Sequence, residues 1–304
     1  MDAFGLEPLA GGHSGETFLA DAAGERTVVR IYGERSAWRG AEAPQVDAAV
    51  LALVRGLLPV PEVLEVRRAD ATGSPGLLVT TFLPGTRLDL LLPDLDPGGR
   101  AEVGRACGAV AARLAQMPMP RPGLFVDGDL RVEPLPAADL AEFVASRRDG
   151  TALATWPQRD LEALLDVADR AQGLLDRVTR TMPRTMPRTC LVHSDLNPKN
   201  LLVDPETLQV TGVLDWEFAH AGGPTTDLGN LLRLDRDPAF ADAVLDVYRR
   251  QVPDAGDDAL DRARAADVYA LVELAARRGQ NPVTELAHDL LLAVASSGDL
   301  HAVP

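Results

Sequence analysis

The sequence predicts an α+β fold in two unequal lobes: a small N-terminal antiparallel β-sheet lobe with one helix over residues 1–83, and a larger, mostly helical C-terminal lobe over 84–304. Three observations predict it. The first 83 residues carry β-branched and aromatic runs broken by glycine turns, with a single amphipathic stretch among them. After Pro84-Gly85 the apolar spacing becomes helical and stays so. One strand-like interruption, residues 190–218, breaks that helical half.

Taken in order, Leu9 leads through a glycine-rich turn, Gly11-Gly12-His13-Ser14-Gly15, into a strand at Thr17–Ala20. A second turn at Asp21–Gly24 leads into Thr27–Tyr32, a β-branched and aromatic run typical of a strand. Residues 42–56 place Val46, Val50, Leu53 and Val54 on one helical face. Pro59 and Pro61 bracket an extended piece that continues through Val66, and a turn over Ala71–Gly76 precedes a strand at Leu77–Phe82. Amphipathic helices are expected at 99–116, 137–148, 157–180, 238–251, 260–278 and 282–297, the last opened by an Asn281 cap followed by Pro282. The proline-rich tract 117–136 reads as an irregular surface excursion, and the tandem TMPRTMPR at 181–188 as a connector.

Composition narrows the function. The chain holds 30 Lys+Arg against 45 Asp+Glu, a net charge of −15. That balance repels nucleic acid and anionic membranes and suits a cationic partner, although it also serves solubility alone. No apolar run reaches the length of a bilayer helix. The N-terminal MDAFGLEPLAGG carries acids where a signal peptide wants bases, so a cytoplasmic protein is expected, with Cys107 and Cys190 as separate reduced thiols.

The chemistry concentrates in LVHSDLNPKNLLVD, residues 191–204. His193, Asp195 and Asn200 stand at i, i+2 and i+7, the spacing of a kinase catalytic loop. A carboxylate at Asp195 can orient an acceptor hydroxyl and take its proton during phosphoryl transfer. The neutral amide of Asn200 can hold Mg²⁺ without adding charge that competes with phosphates. His193 is expected to brace the loop without moving a proton. Leu201–Asp204 and Val210–Leu214 read as a hairpin ending at Asp215-Trp216-Glu217, which puts Asp215 where a second metal ligand belongs. Glu217 either reaches a second metal through water or caps the following turn. Trp216 is expected in the core.

These motifs, with VTGVLDWEFAHAGGPTTDLGNLLR after them, resemble the aminoglycoside phosphotransferase (APH) family, small-molecule relatives of protein kinases. The resemblance spans nearly the whole chain and implies a two-lobed protein-kinase-like fold that uses ATP or GTP with Mg²⁺. It implies that Gly12, Ser14 and Gly15 cover the phosphates and that Thr81, Phe82 and Leu83 meet the base. Asp227 would brace the catalytic loop from below; read alone it is an N-cap for a helix over 228–236. Two departures stand out. Ser194 replaces the usual Gly, and Arg30 replaces the usual strand Lys, with Asp47 in place of its Glu partner. In the family the C-terminal helices hold the acceptor, so Glu217, Asp267 and Glu273 are candidate acids for a cationic acceptor, Asp267 and Glu273 flanking Tyr269 on one helix. The leading expectation is an O-phosphotransferase, monomer or homodimer, acting on a polycationic antibiotic. A metabolite kinase for choline, a sugar or homoserine is the alternative, and a catalytically inactive nucleotide-binding homologue is the third.

Overall fold

Residues 5–9, 16–22, 24–70, 73–134, 139–181 and 188–304 are described by a computed structural model. The glycine turn at 11–15, with Gly12, Ser14 and Gly15, lies outside them, as does most of the tandem repeat.

The N-terminal lobe is a five-stranded antiparallel sheet in the order β1-β2-β3-β5-β4. Its strands are β1 (Gly5–Pro8), β2 (Glu16–Ala22), β3 (Glu25–Tyr32), β4 (Val63–Arg67) and β5 (Gly76–Thr81), with α1 (Ala43–Val54) crossing between β3 and β4. α1 buries Val46, Val50, Leu51 and Val54 and packs against β4 and β5. Fully burying an aliphatic side chain contributes about 1.5–3 kcal/mol, so these four residues hold the helix to the sheet.

β5 ends at Thr81, just before the predicted lobe boundary at 83/84. Just beyond, Gly85 sits at φ +136°, where a Cβ would lie 2.5 Å from the Thr211 hydroxyl, closer than real Cβ atoms come, and 3.1 Å from Leu202 Cβ. The chain passes through β6 (Thr86–Arg87) and the short α2 (Leu88–Leu91) into the long α3 (Pro97–Ala115). Then come β7 (Gly123–Phe125), β8 (Val132–Glu133), α4 (Leu140–Ser146) and α5 (Gln158–Thr181). The predicted interruption, 190–218, contains three short strands, β9 (Cys190–Val192), β10 (Leu201–Val203) and β11 (Val210–Val213), and a fourth, β12 (His220–Gly222), follows just beyond it. Four helices finish the chain: α6 (Thr226–Leu231), α7 (Pro238–Gln251), α8 (Ala259–Ala276) and α9 (Pro282–Ser297). Asn281 caps α9, accepting from Thr284 N–H at 3.1 Å.

Two expectations change. The 117–136 tract supplies β7 and β8, which complete a four-stranded sheet, β8-β7-β12-β9, around the catalytic loop. The helix expected over 228–236 stops at Leu231, and a separate helix, α7, opens after Asp237, which accepts from Ala239 N–H. One buried cluster joins Val50, Val54 and Leu58 of the first lobe to Leu201, Val213 and Phe240 of the second, so the lobes share a core. Gly104 and Gly108 of α3 let α7 approach until a Cβ would lie 2.7 Å from Phe240 O and 2.6 Å from Val244 O. A second cluster knits α4, α5, α8 and α9. Cys107 and Cys190 are buried and unbridged, and among the described residues no helix is long and apolar enough to cross a membrane.

Candidate active site

The catalytic loop runs from β9 to β10, pinned to the core at both ends by Leu191, Leu196 and Leu201, all fully buried. Between these anchors the backbone turns at Ser194, where φ is +67°. This is the position where the resemblance expects glycine, and an L-residue there costs roughly 1–2 kcal/mol. Asp227, in the first turn of α6, offsets that cost. Its two carboxylate oxygens accept from the backbone N–H of His193 (2.9 Å) and Ser194 (2.8 Å). Burial raises its pKa, opposed by His193 and by these two bonds.

His193 is buried, with its ring 4.6 Å from that of Trp216. Its Nδ1 accepts from Asp195 N–H at 3.2 Å, so its Nε2 donates to Leu214 O at 2.8 Å. Burial depresses its pKa, and the neutral ring ties the catalytic loop to Leu214, next to Asp215. Trp216, also buried, donates to Val213 O.

Asp195 is held from both sides. Oδ1 accepts from Asn197 Nδ2 and Oδ2 from Asn200 Nδ2, each at 2.8 Å. Burial raises its pKa; Arg233 opposes that shift and Asp215 adds to it. Asn197 was not singled out by sequence reasoning. Its signal was its place before Pro198, where its side-chain oxygen accepts from Lys199 N–H and starts the 3-10 turn that delivers Asn200. Asn200 spends its amide hydrogens on Asp195, which leaves its amide oxygen as the ligating end.

Asp215 follows β11 at φ +62°, a backbone region disfavoured for a non-glycine residue, so the surrounding structure holds its carboxylate in place. Arg30 reaches across from β3. Nη1 donates to Asp215 Oδ1 at 3.0 Å and Nη2 to Glu217 Oε2. Burial lowers the Arg30 pKa, but Asp215, Tyr32, Asp47 and Glu217 together outweigh it, and the guanidinium stays charged.

Three expectations need correction. Asp47 was read as the partner of Arg30, but its carboxylate takes the Arg39 guanidinium and the Tyr32 hydroxyl (2.5 Å). Asp267 was read as lining an acceptor pocket. It is buried and gripped by Arg233, with Asn230 donating at 2.9 Å. Glu273 likewise is bound to Arg147 at 2.5 Å. Neither lines the cleft described below, and each carboxylate is paired with an arginine.

Between the lobes lies a cleft of about 580 Å³, within the range of small-ligand sites. Val28, Leu78, Leu202 and Leu214 make an apolar slot; Thr81, Phe82 and Leu83 line its hinge side. Arg26 covers one face of the Phe82 ring at 4.1 Å. The polar end holds Arg30, Lys199, Asn200 and Asp215. Among the described residues no group of three or more His, Cys, Asp or Glu forms a metal cluster. The amide oxygen of Asn200 and the second oxygen of Asp215 are hard donors, and they suit a magnesium ion whose remaining ligands come from phosphates and water.

A sheet lobe packed on a helical lobe, with an amide and a carboxylate at the polar end of an apolar slot and a second carboxylate, Asp195, bonded to that amide, is the architecture of a kinase-like small-molecule phosphotransferase. The comparisons agree. The pattern of the phosphotransferase enzyme family (APH) matches residues 5–266, and the chain belongs to that family. It is 30% identical over 201 residues to an aminoglycoside 3'-phosphotransferase of Streptomyces fradiae, a match covering 63% of this chain and 65% of that enzyme. It is 26% identical over 220 residues to acyl-CoA dehydrogenase family member 10 of Mus musculus, 71% of this chain but only 19% of that protein. The aminoglycoside phosphotransferase APH(4)-Ia superposes with a TM-score of 0.66 at 19% identity, over 97% of this chain and 94% of its own. The GDP complex of aminoglycoside 2'-phosphotransferase-IIIa gives 0.66 at 16% identity, over 98% and 87%. These two structures share the fold.

Proposed function

We propose that the chain transfers the terminal phosphoryl group of ATP or GTP to a hydroxyl of a small cationic molecule, an antibiotic of the aminoglycoside or basic-peptide type. The observation that carries this reading is the carboxylate of Asp195, fixed by two amide donors and joined through Asn200 to the end of the cleft where Asp215 stands. Asp195 orients the acceptor hydroxyl and takes its proton at a carboxylate oxygen. Asn200 and Asp215 would hold Mg²⁺, which when bound neutralises charge on the phosphates. The apolar slot takes the base against the hinge, Lys199 and Arg30 add positive charge at the phosphate end, and His193 and Asp227 hold the loop still.

Nucleotide use is supported by relatives of the same fold, one in complex with ADP and hygromycin B and one with GDP. A cationic acceptor is supported by the net charge of −15. The pairing of Asp267 and Glu273 with arginines removes two acids from that argument and keeps the metabolite kinase as the second reading. A panel of aminoglycosides, basic peptides, choline, sugars and homoserine, read by ADP or GDP release, separates them. Asp195→Ala should cut transfer about 10²–10⁴-fold while nucleotide affinity holds. Near wild-type transfer in that variant sinks the reading. Growth protection against one antibiotic, lost with Asp195→Ala, identifies a resistance enzyme.

A further inference from the structure

Glu217 is a buried carboxylate two residues beyond the metal-site aspartate, with only 4% of its side chain exposed. A buried carboxylate needs a counter-charge, because desolvation alone would force it to protonate. Here that charge comes from Arg30, which stands on the other lobe and uses the two arms of its guanidinium on two carboxylates, Asp215 and Glu217. A lysine ammonium is a point charge and lacks this planar fork. The same geometry accounts for Asp47. With Arg30 committed to the D-W-E segment, the α1 acid is free to close a separate network with Arg39 and Tyr32 inside the first lobe.

Asn200 and Asp215 line the polar end of the cleft, and Glu217 is joined to Asp215 through the two arms of the Arg30 guanidinium. We propose that Arg30 is a built-in cation of this site: it neutralises Glu217 and one oxygen of Asp215, so the site binds one divalent ion per nucleotide. That ion would sit on Asn200 and the outer oxygen of Asp215. Asp215 lines the cleft, and its side chain keeps 28% exposure. Arg30 is therefore a positioning residue that fixes metal stoichiometry, and its replacement of lysine is part of a coordinated change with Glu217 and Asp47. This inference rests on the phosphotransferase reading above.

Manganese is the probe, counted by the electron paramagnetic resonance of the free ion during titration of the full chain with a non-hydrolysable ATP or GTP analogue. Wild type should bind one Mn²⁺ per bound nucleotide. Arg30→Gln removes the charge and should raise the count to two, and the double variant Arg30→Gln/Glu217→Gln should return it to one. Circular dichroism checks that each variant is folded. A wild-type count of two overturns the proposal whether or not Arg30→Gln folds. A folded Arg30→Gln that stays at one overturns it too. Failure of the wild type to bind either nucleotide or Mn²⁺ instead overturns the phosphotransferase reading itself, so the two failures are distinguishable.

Discussion

The loop around Asp195 and the strand end at Arg30 border the same cleft but are built differently. In the loop, Asp195, Asn197 and Asn200 bond one another within a single turn of chain, and the turn closes on an aspartate 34 residues away. Arg30 takes its partners from 185 and 187 residues away in the other lobe. The difference teaches where a motif can be trusted. Spacing along a tight turn dictates which side chains meet, whereas a long, flexible base on a strand takes whichever acid the assembled fold presents.

Breaking the brace of the loop should have the largest effect. Asp227→Ala strands a buried N–H donor at His193, at a cost of about 1–3 kcal/mol, and a part-buried one at Ser194. Denaturant unfolding should show a loss of that order, with transfer falling sharply; Asp227→Asn, which keeps one acceptor, should fall between. An unchanged midpoint and rate for Asp227→Ala would remove the loop from its anchored class. On the strand side, Asp47→Ala should cost about 3–5 kcal/mol by leaving the buried Arg39 without a counter-charge. Nucleotide affinity should change little. If affinity instead collapses while stability holds, Asp47 works with Arg30 after all, and the contrast between the two regions disappears.

A milder test uses pH. Burial raises the pKa of Asp195, and the base is active only when deprotonated, so activity is lost as pH falls through that raised value. The acid limb of kcat/KM should therefore lie above the ordinary carboxylate range. A limb at the ordinary value would show that Asp195 is more solvated than its burial implies. The smallest effect is expected at Ser194. Glycine accepts φ +67° freely but loses more chain entropy on folding, so Ser194→Gly should stabilise by about 1 kcal/mol or less. A marked loss in its thermal midpoint would point to a role for the serine hydroxyl instead.

Much of the site could be read before the fold was known. His193, Asp195, Asn200 and Asp215 follow from loop length and from a hairpin whose apolar halves are short and clear. Asn197 escaped notice because its contribution, a side-chain bond to Lys199 N–H, looks like ordinary turn chemistry. The short strands β7, β8 and β12 were missed because two or three residues carry no periodicity, and only their mutual pairing makes them strands.

By itself, then, the amino-acid order determined the two-lobed α+β architecture and the identity of the loop acids, since both arise from patterns repeated within a few residues. Only the tertiary structure decided which cation meets which carboxylate: Arg30 with Asp215 and Glu217, Arg39 with Asp47, Arg233 with Asp267, Arg147 with Glu273. Charge attraction has no sequence periodicity and acts on whatever distance packing leaves, so those choices appear only once the helices and sheets are in place.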